Sequence, residues 1–213
     1  MKIFNWRLGL MAVAILNTLT CSTCNRLDPV ITYYMSKDFK QFIMFPVGSY
    51  WIYDEVYNGS QDSIYLFKSF YEITKASEKL GYDYERYQPH FSSTYLNDTL
   101  IGDTHPDRDR VNFYYYSQGS QKNIPNFPVL FFDSAAVNFE YNYAENYILK
   151  YENTYSSYVV QNTEYSDVRV YVHQTQFFPE QEKRIYYAKS VGIIRKEMFN
   201  GEIWELKKFV KGN

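Results

Sequence analysis

The first clear pattern in this sequence is an alternation of side chains just after Phe45-Pro46. Successive side chains of a β-strand point to opposite faces of a sheet, so a period of two predicts a strand. Two alternating sets run through residues 50–57, namely Tyr50, Ile52, Asp54 and Val56 against Trp51, Tyr53, Glu55 and Tyr57. Asn58-Gly59 follows, and then a second β-rich run at residues 63–73. Asn-Gly between two such runs predicts a hairpin, because a type I′ turn needs positive φ at both central residues.

The end of the chain has the same organisation. Residues 184–199 are rich in strand-forming residues and are interrupted by Gly192, and Asn200-Gly201 separates them from residues 202–210. This order predicts a strand, a tight bend, a second strand, a hairpin turn and a third strand. The apolar residues of this region are candidates for the core: Ile193, Met198, Ile203, Trp204 and Leu206.

The middle of the chain contains further strand patterns separated by polar segments. Strands are predicted at residues 82–96, 111–116, 137–143, 158–161 and 167–173, while residues 144–151 fit either a strand or a helix. Residues 97–110 and 118–128 are predicted to be loops, and residues 75–81 offer the best helical turn. Pro89 suits an edge or a bulge. In residues 167–173 one face is predicted to carry Val168, Val170 and Val172, and the other Arg169, Tyr171 and His173.

Roughly ten strands at hairpin spacing indicate an all-β fold. We expect an antiparallel meander that forms a strongly curved sheet, half-barrel or barrel, with little helix outside the leader. The same spacing occurs in sandwiches, so the choice between barrel and sandwich stays open. The length of 213 residues suits a single domain.

Composition supports this fold and argues against nucleic acid as a partner. Aromatic residues make up 20% of the chain, with 24 Tyr and 16 Phe, and such residues fit pleated, half-buried surfaces. The formal net charge is -2, and no basic stripe is interleaved with aromatic residues. A polyanion-binding surface is therefore not expected.

The first residues have the organisation of an export signal. Lys2 and Arg7 precede an apolar run at residues 8–16, which is too short for a stable transmembrane helix. Cys21 and Cys24, the only cysteines, lie at the end of this segment, so the rest of the chain has neither a disulfide nor a thiol nucleophile. We therefore divide the chain into a signal peptide at residues 1–23, a tether at 24–40 and a single antiparallel β domain at 41–213.

This leader resembles a bacterial lipoprotein signal, in which the cysteine that follows the cleavage site carries the lipid. The resemblance implies lipid attachment at Cys24, which two small residues precede, with Cys21 as the alternative. An ordinary cleaved signal with incidental cysteines is the other interpretation. Two or three acyl chains would hold the protein stably on a membrane.

Local catalytic motifs do not stand out. One acidic stretch concentrates Asp98, Asp103, His105, Asp107 and Asp109, and its carboxylates are the hard oxygen donors that calcium prefers. Its spacing differs from an EF-hand and Arg108 and Arg110 would neutralise it, so a solvated loop is favoured. The three histidines are widely separated, and neither a Gly-x-Ser-x-Gly elbow nor a phosphate-binding glycine loop is present. We expect no enzyme activity, no catalytic or metal-binding residues and no cofactor.

The mature chain also carries a loose resemblance. Phe45-Pro46, Gly48, Trp51 and Tyr53 near its start, with Tyr186-Tyr187-Ala188 and Val191-Gly192 near its end, are similar to uncharacterised exported lipoproteins of Bacteroidetes. The resemblance implies a hairpin-built β domain and an outer-membrane location on the periplasmic or cell-surface side. The favoured function is a non-enzymatic envelope module for binding or assembly, whose partner is an envelope protein or an apolar ligand. The alternative is a carrier of a lipid or another apolar ligand in the concave face of a half-barrel.

Overall fold

The structure is a computed structural model that describes residues 30–75, 81–94, 98–105, 109–116, 127–131, 140–144, 147–176 and 181–213. These ranges contain one helix, α1 (Lys37–Ile43), and thirteen strands. In chain order the strands are β1 (Thr32–Tyr33), β2 (Tyr50–Glu55), β3 (Gln61–Thr74), β4 (Asp83–Ser93), β5 (Asp98–His105), β6 (Arg110–Tyr116), β7 (Phe127–Phe131), β8 (Glu140–Ala144), β9 (Tyr147–Val160), β10 (Thr163–His173), β11 (Glu182–Ala188), β12 (Gly192–Met198) and β13 (Ile203–Val210).

All thirteen strands belong to one sheet. Its order is β7-β6-β5-β4-β3-β2-β13-β12-β11-β10-β9-β8, with antiparallel neighbours, and β1 adds to β4 in parallel. β2, the first strand after α1, pairs with β13, the last strand of the chain, at the centre of the sheet. This pairing joins two meanders, β2 to β7 and β8 to β13. Within the described strands no pairing joins β7 to β8, so the sheet is open.

The sheet is strongly curved. Val111 of β6 and Leu149 of β9 belong to one buried cluster, although nine steps of strand order separate these strands. At about 4.8 Å per step a flat sheet would hold them roughly 43 Å apart. The sheet therefore bends around its contents, and the expected all-β curved fold is confirmed.

The two hairpins expected from Asn-Gly are both present, but the expected type I′ turn is wrong for both, because Gly59 and Gly201 have positive φ and Asn58 and Asn200 do not. Asn58-Gly59 joins β2 to β3, and Asn200-Gly201 joins β12 to β13. Gly201 has φ +95°, which L side chains rarely adopt, and its amide donates to the Met198 carbonyl at 3.2 Å. Gly192, at the predicted bend, has φ +90°, and a Cβ there would lie 3.4 Å from the Phe45 ring. Backbone geometry accounts for both glycines.

The alternation predicted for residues 167–173 is confirmed for Val168, Val170 and Tyr171, which are members of the core clusters. Val168 and Val170 belong to one buried cluster, and Tyr171 belongs to the other. Both faces of β10 are therefore covered by apolar side chains. Residues 144–151 fit either a strand or a helix by sequence. Where they are described they are strand, because Ala144 ends β8 and Tyr147 begins β9.

The loop predicted at residues 97–110 is wrong for most of its length. Residues Asp98–His105 form β5, which pairs with β4 on one side and β6 on the other. Asp103 is buried and receives two hydrogen bonds from the Arg86 guanidinium, at 2.8 Å each. Thr104 is also buried and accepts a hydrogen bond from the Tyr87 amide at 2.8 Å. Residues of the neighbouring strand β4 thus form hydrogen bonds with polar side chains that the sequence alone predicts to be solvated.

Residues 30–40, which the sequence analysis placed in a tether, are folded against the sheet. Ser36 caps α1 by accepting from the Phe39 amide at 3.1 Å. Asp38 in the first turn accepts from Arg169 at 3.0 Å and from Lys189 at 2.9 Å. Phe39, Phe42 and Ile43 of the helix are buried. The helix therefore packs its apolar face inside the curved sheet.

Two buried clusters make up the core. The first surrounds α1 and contains Met35, Phe39, Phe42, Ile43, Tyr87, Val111, Leu149, Tyr151, Tyr171, Ile185 and Tyr187. The second contains Phe45, Trp51, Tyr53, Leu66, Phe91, Val160, Val168, Val170, Tyr186, Ala188, Ile194, Met198, Trp204 and Leu206. Ile193 packs against both and so links the two clusters.

Several expectations concern residues outside the described ranges. They are the signal peptide with Cys21 and Cys24, most of the helical turn predicted at residues 75–81, part of the predicted loops and the first part of the strand predicted at 137–143. At its described end the loop predicted at 118–128 is wrong, because Phe127 and Pro128 begin β7.

Candidate functional site

Among the described residues, a cavity lies between α1 and the sheet. Its volume is about 90 Å³. Apolar side chains and Gly192 dominate its lining, and a few polar residues join them: Phe42, Ile43, Phe45, Trp51, Tyr53, Ile64, Pro89, Phe91, Leu100, Val111, His173, Gln181, Glu182, Ile185, Tyr187, Gly192 and Ile193. This volume is smaller than that of an apolar cavity of about 150 Å³, which can bind benzene.

Two titratable side chains reach this cavity from the connection between β10 and β11. His173 ends β10 and is 2% exposed, and Glu182 begins β11 and is half-buried. Burial lowers the pKa of His173 from 6.5 to about 4, so its imidazole is neutral at pH 7. Burial raises the pKa of Glu182, and the nearby Lys196 ammonium only partly opposes this rise.

Gln181 fixes the backbone beside Glu182. Its side-chain amide donates to the Thr175 carbonyl at 3.2 Å, and its own carbonyl accepts from the Phe199 amide at 3.0 Å. These bonds tie the start of β11 to the end of the β10 segment and to the β12–β13 turn. The carboxyl of Glu182 is thereby held at the cavity wall by ordered backbone.

The polar atoms of two aromatic side chains that line the cavity donate hydrogen bonds to backbone carbonyls. Trp51 donates from Nε1 to the Val191 carbonyl at 2.6 Å, and the Tyr53 hydroxyl donates to the Ile193 carbonyl at 2.9 Å. Burial raises the pKa of Tyr53 well above its usual value, with contributions from Asp62 and Tyr165. The ring faces, not the polar atoms, are therefore available to line the cavity.

This arrangement can bind, but its size limits what it can bind. A neutral imidazole and a carboxyl with a raised pKa can exchange hydrogen bonds with a small polar group that lies against apolar walls. Pockets for drug-sized ligands usually measure about 300–1,000 Å³. The cavity is well below that range, and the aromatic side chains of α1 occupy the space next to it.

Stability should depend on pH through His173. The folded state keeps this imidazole neutral down to about pH 4, whereas the unfolded chain binds a proton near pH 6.5. The free energy of unfolding should therefore fall as the pH drops from 6.5 to 4, by on the order of 3 kcal/mol from this group. Urea unfolding of the wild type and of His173→Gln across this range would measure the effect.

Subtracting the unfolding free energy of His173→Gln from that of the wild type at each pH gives the contribution of His173 alone. Glu182 is present in both proteins, and its raised pKa changes stability with pH in the opposite direction. His90→Gln is the control, because His90 is half-buried on the outer face and the same substitution there should leave most of the slope. A wild-type slope that persists in His173→Gln would contradict a neutral buried imidazole.

The acidic stretch considered for calcium is used differently. Asp103 pairs with Arg86, and the Asp109 carboxylate accepts from the Ser36 amide at 2.9 Å. Asp98 and His105 lie at the ends of β5, and Asp107 lies outside the described residues. In the part of the chain that the structure describes, no group of three or more His, Cys, Asp or Glu side chains could hold a metal ion.

A second candidate region lies on the outer face of β3. Tyr65, Phe67 and Phe70 are exposed there, and we call them the β3 aromatic surface. The His90 ring of β4 lies 6.1 Å from the Phe67 ring and 5.3 Å from the Phe70 ring, in edge-on contacts. Lys68 places its ammonium 4.3 Å from the centre of the Phe70 ring. Burial, assisted by Lys68, lowers the pKa of His90.

Sequence reasoning found neither Glu182 nor the cavity. His173 was noted as one of three scattered histidines and as the last residue of an alternating strand. Its placement beside Tyr171 opposite the valines could have indicated burial. Glu182 carried no comparable signal, because its burial comes from the strands packed around it.

The proposed lipid-attachment residue Cys24 and its alternative Cys21 precede the first described residue, Val30. The structure therefore gives no geometry for them. Among the residues with described positions, no helix is long and apolar enough to cross a membrane.

Comparison with known proteins adds no relative: no family model, curated protein or solved structure matches this chain. Fold and site together define a class of protein. It is an all-β protein with an open, strongly curved sheet whose interior holds a short helix and a small, mainly apolar cavity.

Proposed function

We propose that this chain is a non-enzymatic, lipid-anchored protein of the cell envelope that acts as a binding or assembly module. The observation that carries this proposal is the filled interior of the sheet. Phe39, Phe42 and Ile43 of α1 occupy the space that a carrier would keep for its ligand, and the cavity beside them measures about 90 Å³. A module that works through its outer surface has no need of a larger cavity.

The carrier function is the weaker candidate on the same observation. Proteins that enclose one small ligand in a curved sheet leave an interior wide enough to hold it. Here α1 is fastened at several points. The Asp38 carboxylate bridges Arg169 and Lys189, and the Gln41 carbonyl accepts from the Ser190 amide at 2.8 Å. Opening a lipid-sized space would require these contacts to break.

The attachment to a membrane rests on the leader. The proposed anchor is Cys24, with Cys21 as the alternative, on a bacterial exported lipoprotein of the Bacteroidetes type. The outer membrane is the proposed location, on its periplasmic or cell-surface side. The exposed β3 aromatic surface supports a contact role, since contiguous exposed apolar area often marks interaction surfaces.

Native mass spectrometry of the full-length gene product, purified from membranes in mild detergent, tests this function. We expect one species whose mass equals the processed chain plus its acyl groups. The same sample after denaturation and organic extraction serves as the control and should keep that mass. An additional apolar compound that is present natively and removed by extraction would contradict the module and favour the carrier. An unmodified N-terminus beyond Cys24 would contradict the anchor.

A further inference from the structure

The end of the sheet at which the described chain begins is surrounded by exposed apolar and aromatic side chains. Val30 and Ile31 precede β1, and Ile31 is 61% exposed. Tyr33 and Tyr34 follow, and Tyr34 is 64% exposed. Tyr71, near the end of β3, is exposed as well. We call this group, together with Tyr82, the aromatic rim.

Contacts hold the aromatic rim together. The Ile31 carbonyl accepts from the Asp83 amide at 2.9 Å, which begins the parallel pairing of β1 with β4. The Tyr33 and Tyr82 rings meet edge-on, with centres 4.9 Å apart. The Tyr71 hydroxyl donates to Glu85. The rim is therefore a fixed part of the domain.

Among the described residues, the two carboxylates next to the aromatic rim are each paired with a lysine. The Asp83 carboxylate lies 2.9 Å from the ammonium of Lys75, and the buried Glu85 carboxylate lies 2.6 Å from that of Lys40. The Lys75 side chain is largely exposed, and such a side chain can extend its charged end toward water or headgroups. Neither carboxylate therefore presents an unbalanced negative charge to an anionic surface.

The short stretch of chain between Cys24 and Val30 limits how far the aromatic rim can lie from a membrane. Only five residues lie between Cys24 and Val30, and the six Cα–Cα steps that join the two span at most about 22 Å when fully extended. If Cys24 carries the lipid, Val30 at the edge of the rim cannot move further than that from the bilayer surface. Tyrosine rings, apolar with a polar hydroxyl, concentrate at the boundary between headgroups and acyl chains.

We propose that the aromatic rim rests in the lipid headgroup region and orients the domain on the membrane. This inference rests on the proposed lipid anchor. β3 then leads away from the bilayer, since fourteen residues at about 3.3 Å rise extend over roughly 43 Å. The β2–β3 turn, where Tyr57 is 74% exposed, lies at the opposite end of β3 from the rim.

Site-directed spin labelling of the acylated protein tests the contact. Cleavage before an acylated Cys24 leaves no free thiol, because the chain has only Cys21 and Cys24. Tyr34→Cys and the matched control Tyr57→Cys can therefore be labelled singly in full-length protein processed by its host. Both proteins are reconstituted in vesicles of phosphatidylethanolamine and phosphatidylglycerol, and the N-terminal mass is measured on each sample.

The label at position 34 is expected to be accessible to oxygen and protected from a water-soluble nickel chelate, while the label at 57 is accessible to the chelate. Chelate access at both positions in acylated protein would overturn the rim contact. Protection of position 34 from both reagents would mean that a protein partner or second copy covers the rim, and would overturn it too.

An unmodified N-terminus would contradict the anchor separately from the rim. Cosedimentation of that unmodified protein with the same vesicles then decides the rim contact. Binding that Ile31→Ser with Tyr34→Ser abolishes supports it, and absence of binding overturns it.

Discussion

Replacing Phe42 with Ala is expected to lower the free energy of unfolding by about 3–5 kcal/mol. Phe42 is buried on α1, belongs to the first core cluster and lines the cavity. Its removal takes away apolar contacts and adds the space of a phenyl ring to the existing cavity. The surrounding strands are hydrogen-bonded on both sides, so they can close this space only in part.

Urea unfolding at pH 7 measures this loss, and Phe70→Ala provides the matched control. Phe70 is exposed on the outer face of β3, so its replacement should cost less than about 1 kcal/mol. Similar losses for the two variants would show that α1 does not fill the interior.

The same variant also tests the size of the cavity. An apolar cavity of about 150 Å³ can bind benzene, whereas the native cavity measures about 90 Å³. Benzene should therefore raise the melting temperature of Phe42→Ala and leave that of the wild type unchanged. A benzene-dependent increase in the wild type would favour the carrier function over the module.

Glu85→Ala is expected to cost about 3 kcal/mol, because it removes the acceptor for three donors. The Glu85 carboxylate accepts from the Met35 amide at 2.7 Å, from Lys40 at 2.6 Å and from the Tyr71 hydroxyl. The Met35 bond is buried, and its loss leaves an amide without its acceptor. The segment before α1 should loosen from β4.

Urea unfolding at pH 7 measures this effect, and Glu72→Ala is the control. The Glu72 side chain is 59% exposed and lies 3.8 Å from Arg86, so its loss should cost less than about 1 kcal/mol. Equal losses for Glu72→Ala and Glu85→Ala would contradict a fastening role for Glu85.

The contribution of Glu85 should also depend on pH. Burial alone would raise the pKa of Glu85, but the bonds from Lys40, Tyr71 and the Met35 amide lower it below 4.5. A lowered folded pKa gives stability that is complete above pH 4.5 and is lost as the pH falls through the folded value. The difference between wild type and Glu85→Ala should therefore be constant from pH 7 to 5 and shrink at lower pH.

The strands and hairpins could be predicted because their causes are local. Alternation at residues 50–57 and 167–173 indicates which side chains share a face, and the glycine of each Asn-Gly pair, Gly59 and Gly201, marks a turn position with positive φ. Both signals act over a few residues. For that reason the strand order around each hairpin followed directly from the sequence.

The short helix and the fifth strand could not be predicted by the same reasoning. An isolated helix of seven residues is unstable in water, so α1 depends on Phe39 and Phe42 packing inside the sheet. The polar residues of β5 have the sequence pattern of a loop, and the ion pair between Arg86 and Asp103 that helps to hold them in the sheet is not visible in that pattern. In both cases the stabilising partner is distant in sequence.

The candidate site was hidden for the same reason. His173 and Glu182 are only nine positions apart in the chain, but their burial depends on Trp51, Phe91 and other residues from separate strands. No local pattern indicates which titratable group will be enclosed. Their shifted pKa values are consequences of that enclosure.

By itself, the sequence determined that the chain forms antiparallel strands, where two of its hairpins turn, and which residues of β10 share a face. The tertiary structure alone decided that β2 pairs with β13, that α1 fills the interior and that His173 and Glu182 meet a small cavity. Alternation and turn geometry are properties of neighbouring residues. Burial arises when the sheet curves and brings strands nine steps apart around one core.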